Sequence, residues 1–294
     1  MVITGPEPEY SFLLQILIPK GDGPFPVVLN GDGCWWYATD EVVEEILRRG
    51  NIFAKFNRVE IFSEVRGVSA KLHHRDLRLV YAGKGFGALA AWAWGYHRCV
   101  DVLIKMNFVD GTRIAVVGHS RGGKTTLLAG ATDERIALVC ANGSGAGGAG
   151  CFRVQGPGSE TLADLMRSFP WWFGPTLREF EGREQELPFD QHFLKALVAP
   201  RPLLTTEALG DLWANPKGTW QTHLAAQEVY RFLRAAPRIG IRFRDGDHDH
   251  SLEDWRAFLD FMDWQLRGKT EYAGVFGVNP FPAEPLTFSW SAPS

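Results

Sequence analysis

The 294-residue chain has no excess of positive charge: 31 Lys and Arg stand against 34 Asp and Glu, for a net charge of −3. That balance offers neither the basic field that tracks a nucleic-acid backbone nor a polybasic patch for an anionic membrane. Cysteine is sparse as well. The four residues Cys34, Cys99, Cys140 and Cys151 do not make a disulfide framework. Long apolar runs are missing, none approaching the ~20 residues of a membrane helix. The opening Met1-Val2-Ile3-Thr4-Gly5-Pro6 lacks the basic start and apolar core of a secretory leader. Two locations are therefore expected: cytoplasmic, or exported with the leader already removed. No His, Cys or carboxylate spacing suggests a metal, and no motif asks for a cofactor.

The chain does have the make-up of a globular protein. Hydrophobic residues are 45% and charged residues 22%, which excludes disorder or a fibrous repeat for the chain as a whole. A chain of about 300 residues buries roughly 75% of the surface its unfolded form exposes, so a sizeable core needs no covalent staples. Tryptophan is abundant, with eleven residues, several clustered as Trp35-Trp36, Trp92 with Trp94, and Trp171-Trp172. Large aromatics dominate burial energetics, so most belong in the core. Aromatics also line sugar-binding clefts, which leaves a second role open.

Short apolar runs alternate with longer helical patterns, the signature of parallel βα units. Strands are expected over residues 11–18, 26–29, 51–57, 113–117, 136–141, 202–206 and 239–243. Helices are expected over 40–49, within 85–106, and over 125–131, 220–233 and 251–266. In the last of these Ser251 is the expected N-cap and Asp254 its capping-box partner. Residues 58–84 read as a long surface excursion. Residues 142–190 read as an insertion capping the carboxyl edge of the sheet, and residues from about 268 as an irregular tail. No repeat or linker divides the chain. The expectation is one α/β domain over residues 1–294, with a mostly parallel sheet between helices on both faces.

Gly118-His119-Ser120-Arg121-Gly122 fits G-x-S-x-G, and it directly follows an apolar strand and precedes a helical run. That is the setting of a nucleophile elbow, where small flanking residues allow the sharp turn that lifts the serine hydroxyl above the sheet. A glycine-punctuated turn with an incidental serine is the plainer alternative. A serine needs a base to take its proton, and on such folds the order along the chain is Ser, acid, His. Only His248 and His250 lie after the last expected strand. His248, in the turn Arg244-Asp245-Gly246-Asp247-His248-Asp249, is the favoured base and His250 the rival. Glu207 and Asp211 follow the strand at 202–206, where the acid that orients the imidazole belongs. Leu209-Gly210-Asp211 lets a short side chain turn back to the sheet edge, which favours Asp211 and leaves Glu207 as the alternative. An oxyanion hole needs preorganised donors; the candidates are the Arg121 backbone N–H and the loop Gly31-Asp32-Gly33-Cys34, with Gly33 and Cys34 foremost. A nucleophilic Cys34 has no histidine in its local sequence to support it.

At these residues the chain resembles the glucuronoyl esterases, carbohydrate-esterase family fifteen, in their bacterial form. The likeness is carried in order by Gly87 to Gly95, by the elbow Gly118-His119-Ser120-Arg121-Gly122-Gly123-Lys124 and by the glycine-rich run Gly145 to Gly150. Phe169-Pro170-Trp171-Trp172-Phe173, Leu187 to His192, Asp211-Leu212-Trp213 and Gly246-Asp247-His248-Asp249 continue it. The resemblance implies an α/β-hydrolase fold without cofactor, hydrolysing 4-O-methyl-glucuronoyl esters such as those joining glucuronoxylan to lignin in plant biomass. It also implies Ser120 as nucleophile, His248 as base, Arg121 in the oxyanion hole, and Lys124 and Trp213 against the sugar.

Three departures stand out. Fungal members carry the acid as Glu in an E-S-G block where this chain has Gly143, and the disulfide they form beside the catalytic Ser and His is replaced by His119 and Asp249. The fungal sugar-binding Glu has no counterpart in Met166-Arg167-Ser168-Phe169-Pro170. Two alternatives remain: an acetyl or other acyl esterase of carbohydrates with the same triad, and a carbohydrate-binding homologue that has lost its chemistry.

Overall fold

A computed structural model describes residues 2–4, 10–64, 77–282 and 286–293. Two short strands, β1 (Val2–Thr4) and β2 (Tyr10–Phe12), pair as an antiparallel ribbon. The main sheet has seven strands: β3 (Leu14–Leu17), β4 (Phe25–Asn30), β5 (Ile52–Phe56), β6 (Val109–His119), β7 (Leu138–Asn142), β8 (Leu203–Ala208) and β9 (Ile239–Arg244). Their order is β3-β5-β4-β6-β7-β8-β9, parallel throughout except where edge strand β3 runs against β5.

The strand side chains explain the layers. Val27, Leu29, Ile114, Val116, Val139, Ala141 and Leu203 point into one core. Their immediate neighbours Val28, Ala115, Val117, Leu138, Cys140 and Leu204 point into the other. A strand covered on both faces must be apolar at consecutive positions, which is why these segments read as unbroken hydrophobic runs. Helices α1 (Asp40–Arg48) and α8 (Leu252–Arg267) cover one face, through Val42, Ile46, Trp255, Phe258 and Met262. The short α2 (Leu77–Val80), then α3 (Ala88–Leu103), α4 (Arg121–Thr132), α5 (Leu162–Ser168), α6 (His192–Val198) and α7 (Pro216–Phe232) contribute to the other core. Among the described residues no helix is long and apolar enough to cross a membrane.

Several expected boundaries move, each for a local reason. The strand expected over 11–18 is two strands in different sheets, parted at Leu13, which is 61% exposed. Helix α4 begins at Arg121 and not at Thr125, because Gly122 and Gly123 look like helix breakers but serve close approach. A Cβ on Gly122 would lie 2.1 Å from Asp32 Oδ1. Helix α7 begins at Pro216, where Asn215 accepts the Gly218 N–H as N-cap. The excursion at 58–84 is only partly superficial: Arg58 is buried, and residues 65–76 lie outside the described set. The segment from 268 packs against the sheet edge, with the Gly277 N–H donating to Ile241 O and Phe276 stacked on Trp264. The capping box of Ser251 and Asp254 forms as read from the sequence.

The end of the sheet is what matters for chemistry. β6, β8 and β9 all finish at the same edge, and the turns after them carry Ser120, Asp211 and His248. Open parallel sheets place their sites at this carboxyl edge.

Two stability experiments follow from the packing. Gly122→Ala forces its methyl against the buried Asp32 carboxylate, and such overpacking costs about 1–3 kcal/mol, read as a lower urea midpoint at unchanged slope. Burial also holds His192 near a pKa of about 4 and His223 near about 3. An unfolded histidine titrates near about 6.5, so the unfolded chain binds more protons below that value and stability falls as pH is lowered toward 4. Urea titrations from pH 8 to 4 will show this decline, and His223→Phe will flatten it whatever its effect at pH 8.

Candidate active site

Strand β6 runs straight into helix α4, and the residue at the joint takes a backbone no regular element uses. Ser120 has φ 56° and ψ −122°, a positive φ rare for a side-chain-bearing residue. The turn is held from both sides: the Ser120 N–H donates to Asn142 O at 2.8 Å, and Ser120 O accepts the Lys124 N–H at 3.0 Å. Beneath it, Asp32 accepts the His119 N–H at 2.9 Å and is ion-paired with the buried Arg58. The result points the Ser120 hydroxyl off the sheet edge, beside the first-turn N–H groups of α4, which have no partners within their own helix.

His248 meets that hydroxyl. Its Nε2 stands 3.0 Å from Ser120 Oγ, and its Nδ1 is 2.5 Å from Asp211 Oδ2. The acid is fixed in turn: Asp211 is buried, and its Oδ1 accepts the Ala214 N–H at 3.1 Å. With Nδ1–H directed at a carboxylate, Nε2 carries the lone pair and can accept the serine proton. Three side chains from three separate turns thus form one continuous hydrogen-bonded relay.

Glu207 does not join it. It is fully buried within β8, and burial together with the neighbouring Asp211 charge pushes its carboxyl well above the usual carboxylate range. His250, the rival base, is buried between His119 and Trp255, with ring centroids 5.6 and 4.4 Å away. Burial drives its pKa well below the usual value. His119 backs the His248 ring at 4.6 Å, and burial, reinforced by the His248 charge, brings its pKa down to about 4. It stays neutral behind the base.

The oxyanion loop requires a correction. The Gly33 N–H donates to Phe56 O at 3.0 Å, so that amide is already engaged in the sheet. Its lack of a side chain serves the approach to Phe56, since a Cβ would lie 2.7 Å from the same carbonyl. Burial pushes the Cys34 thiol up to about 11, which leaves it protonated at neutral pH and a poor nucleophile. Arg121 lies on a packed aromatic surface. Its guanidinium carbon is 5.0 Å from the Trp172 ring and 5.2 Å from Phe169, with Trp35 at 5.9 Å. Nη1 donates to Glu64 at 3.1 Å.

Lys124 is not an open surface cation. It is 3% exposed, and its ammonium donates to Ser144 O at 2.8 Å, Ala146 O at 2.5 Å and Glu160 Oε2 at 2.7 Å. All three of its donors are used. Glu160 is the residue that sequence reasoning missed. The run immediately before Trp171-Trp172 holds no carboxylate, whereas Glu160 stands earlier, as the first acidic residue after the glycine-rich run. Its backbone N–H donates to Trp213 O at 3.0 Å, which ties it to the half-exposed Trp213. Among the described residues no three His, Cys or carboxylate side chains converge as a metal-ligand set.

Known proteins resemble this chain in sequence and in fold. A family profile described as glucuronyl esterase, fungi, matches residues 2–234. A protein named Carbohydrate esterase MZ0003, from an unknown prokaryotic organism, is 36% identical over 70% of this chain and 50% of its own. The 4-O-methyl-glucuronoyl methylesterase of Hypocrea jecorina is 30% identical over 97% of this chain and 62% of its own. The chain therefore spans between half and two thirds of the length of these relatives. Among solved structures, a family-fifteen glucuronoyl esterase from Caldicellulosiruptor kristjansonii superposes with a TM-score of 0.86 at 32% identity, covering 97% of this chain and 80% of that one. A Sporotrichum thermophile glucuronoyl esterase, solved with methyl 4-O-methyl-β-D-glucopyranuronate, superposes at 0.74 with 25% identity, covering 90% and 72%. With its elbow, its sheet order and these likenesses taken together, the chain belongs to the glucuronoyl esterase family, on an α/β-hydrolase fold.

Proposed function

We propose that this chain is a serine carboxylic-ester hydrolase acting on esters of glucuronic acid, with Ser120 as nucleophile, His248 as base and Asp211 as the acid that orients it. The observation that carries the reading is the unbroken path from Ser120 Oγ through both ring nitrogens of His248 to the buried Asp211. His248 Nε2 takes the hydroxyl proton as Oγ attacks the C6 carbonyl. Negative charge develops on the carbonyl oxygen at the N-terminus of α4, where the Arg121 N–H is the first donor and the Cys34 backbone the remaining candidate from the β4 loop. Collapse of the intermediate breaks the C–O bond, and His248 returns the proton to the departing alcohol. Water then repeats the cycle on the glucuronoyl-enzyme and releases the acid.

The sugar is read by Trp213 and Glu160. A half-exposed indole offers a flat apolar face, and a carboxylate accepts hydrogen bonds from sugar hydroxyls. Lys124 acts through Glu160: an ammonium with all donors engaged does not reach a ligand but fixes the carboxylate beside it. The methyl glucuronate bound by the Sporotrichum thermophile enzyme fits this substrate class.

Steady-state kinetics on benzyl glucuronate and on an acetylated xyloside test the reading. Benzyl glucuronate will show the higher kcat/KM; preference for the acetate would assign the chain to acyl esterases, and no turnover of either would leave a binding protein. Ser120→Ala and His248→Ala will each lower kcat at least about 10³-fold with the fold intact by circular dichroism. Asp211→Asn will cost about 10²–10⁴-fold, whereas Glu207→Gln, at a side chain outside the relay, will leave kcat near the parental value. The reverse order would move the acid to Glu207.

A further inference from the structure

Between the end of β9 and the start of α8, the turn over residues 245–250 has no regular secondary structure. His248 stands within it, and its side chain is 39% exposed. An imidazole on such a turn does not hold hydrogen-bond distance to two partners unless something fixes the backbone that carries it. One side chain does so.

Arg244, the last residue of β9, turns its guanidinium into the turn that follows and is only 8% exposed. Nη1 donates to Asp245 O at 2.9 Å. Nη2 donates to Asp247 O at 3.4 Å, to Asp249 O at 3.0 Å and to the Asp249 carboxylate. Nε donates to Asp254 Oδ2 at 2.8 Å, and that carboxylate also accepts the Ser251 N–H and hydroxyl at the cap of α8. The planar fork therefore holds the carbonyls of the residues on both sides of His248 while being anchored to the neighbouring helix. Gly246 makes the room. Its φ is +108°, and a Cβ there would lie 2.7 Å from Arg244 Nη1.

The same turn is stitched to the turn that carries the acid. The Leu209 N–H donates to Arg244 O at 2.8 Å, and the Gly210 N–H donates to Gly246 O at 3.0 Å. Fixing residues 245–249 thus fixes His248 relative to Asp211 as well as to Ser120.

We propose that Arg244 is a positioning residue for the esterase reaction, clamping the carbonyls that flank His248 so that the imidazole spans Ser120 and Asp211. It touches neither substrate nor reacting atoms. The proposal rests on the triad reading of the previous subsection, and it extends that reading to a residue outside the triad. Lysine cannot substitute: it presents its donors from a single point, whereas the turn offers acceptors spread around a plane.

The test compares the parent chain with Arg244→Lys, Arg244→Ala, Gly246→Ala and Asp249→Asn, using two assays. One is steady-state hydrolysis of benzyl glucuronate. The other is the rate at which a fluorophosphonate labels Ser120, followed by intact mass: Oγ–P forms, P–F breaks, fluoride leaves and His248 takes the proton. Both rates are expressed per folded protein, from the amplitude of thermal unfolding. Misplacing a catalytic group by about an ångström costs on the order of 10²-fold. Arg244→Lys and Gly246→Ala are therefore expected to lose about ten- to 100-fold in kcat and in labelling rate, with KM unchanged. Asp249→Asn, which keeps the backbone acceptors, stays near the parent. Millimolar guanidinium restores part of the rate in Arg244→Ala and none in Ser120→Ala. A purely structural role would lower the unfolding midpoint without changing either rate per folded molecule. Parental rates in Arg244→Lys, or no guanidinium rescue in a folded Arg244→Ala, would overturn the clamp. Failure of the parent itself to be labelled at Ser120 would overturn the triad reading instead, so the two failures are distinct.

Discussion

The site depends on one short contact, the hydrogen bond between His248 Nδ1 and Asp211 Oδ2. It selects the imidazole tautomer and therefore which nitrogen faces Ser120. It also joins the turn after β8 to the turn after β9, the pair of adjacent strands farthest from β3 in the main sheet. Sheet register brings those strand ends level: Ala208 pairs with Arg244, and the two turns leave from the same height. The geometry of the relay is thus a consequence of parallel strand pairing together with the two backbone hydrogen bonds that tie the turns to each other.

Around that contact, charge is placed by burial. Burial holds His119 and His250, behind His248, below the usual histidine range and pushes the Glu207 carboxyl well above the usual carboxylate range. The rings behind His248 continue as a column, from His119 to His250 to Trp255, which backs the imidazole with rigid apolar surface.

Much of this was legible in the sequence. The strand and helix runs were visible because each face of the sheet is covered, so strands such as Arg113–Val117 carry no polar alternation at their centre. The elbow and the order of residues along the chain single out Ser120, His248 and Asp211, and His248 lies within hydrogen-bond distance of the other two. What escaped were features set by tertiary approach. Gly122 and Gly123 disguised the first turn of α4, because a propensity argument cannot know that Asp32 lies against that turn. Gly33 was read as a donor to substrate because glycines suggest close approach, but the sequence does not say to what; its partner is Phe56 O. Lys124, which the resemblance sets against the sugar, is buried under Ser144, Ala146 and Glu160 by an irregular segment with no periodicity to read. Glu160 was hidden for the same reason.

Gly143 stands where the resemblance to fungal glucuronoyl esterases implies a glutamate. Its backbone is left-handed, with φ +47°, and a Cβ built there would stand 3.5 Å from Asp211 Oδ2. A side chain leaving the end of β7 at residue 143 would therefore compete for the same few ångströms as the Asp211 carboxylate, which leaves the neighbouring strand β8, and would press on the His119 ring.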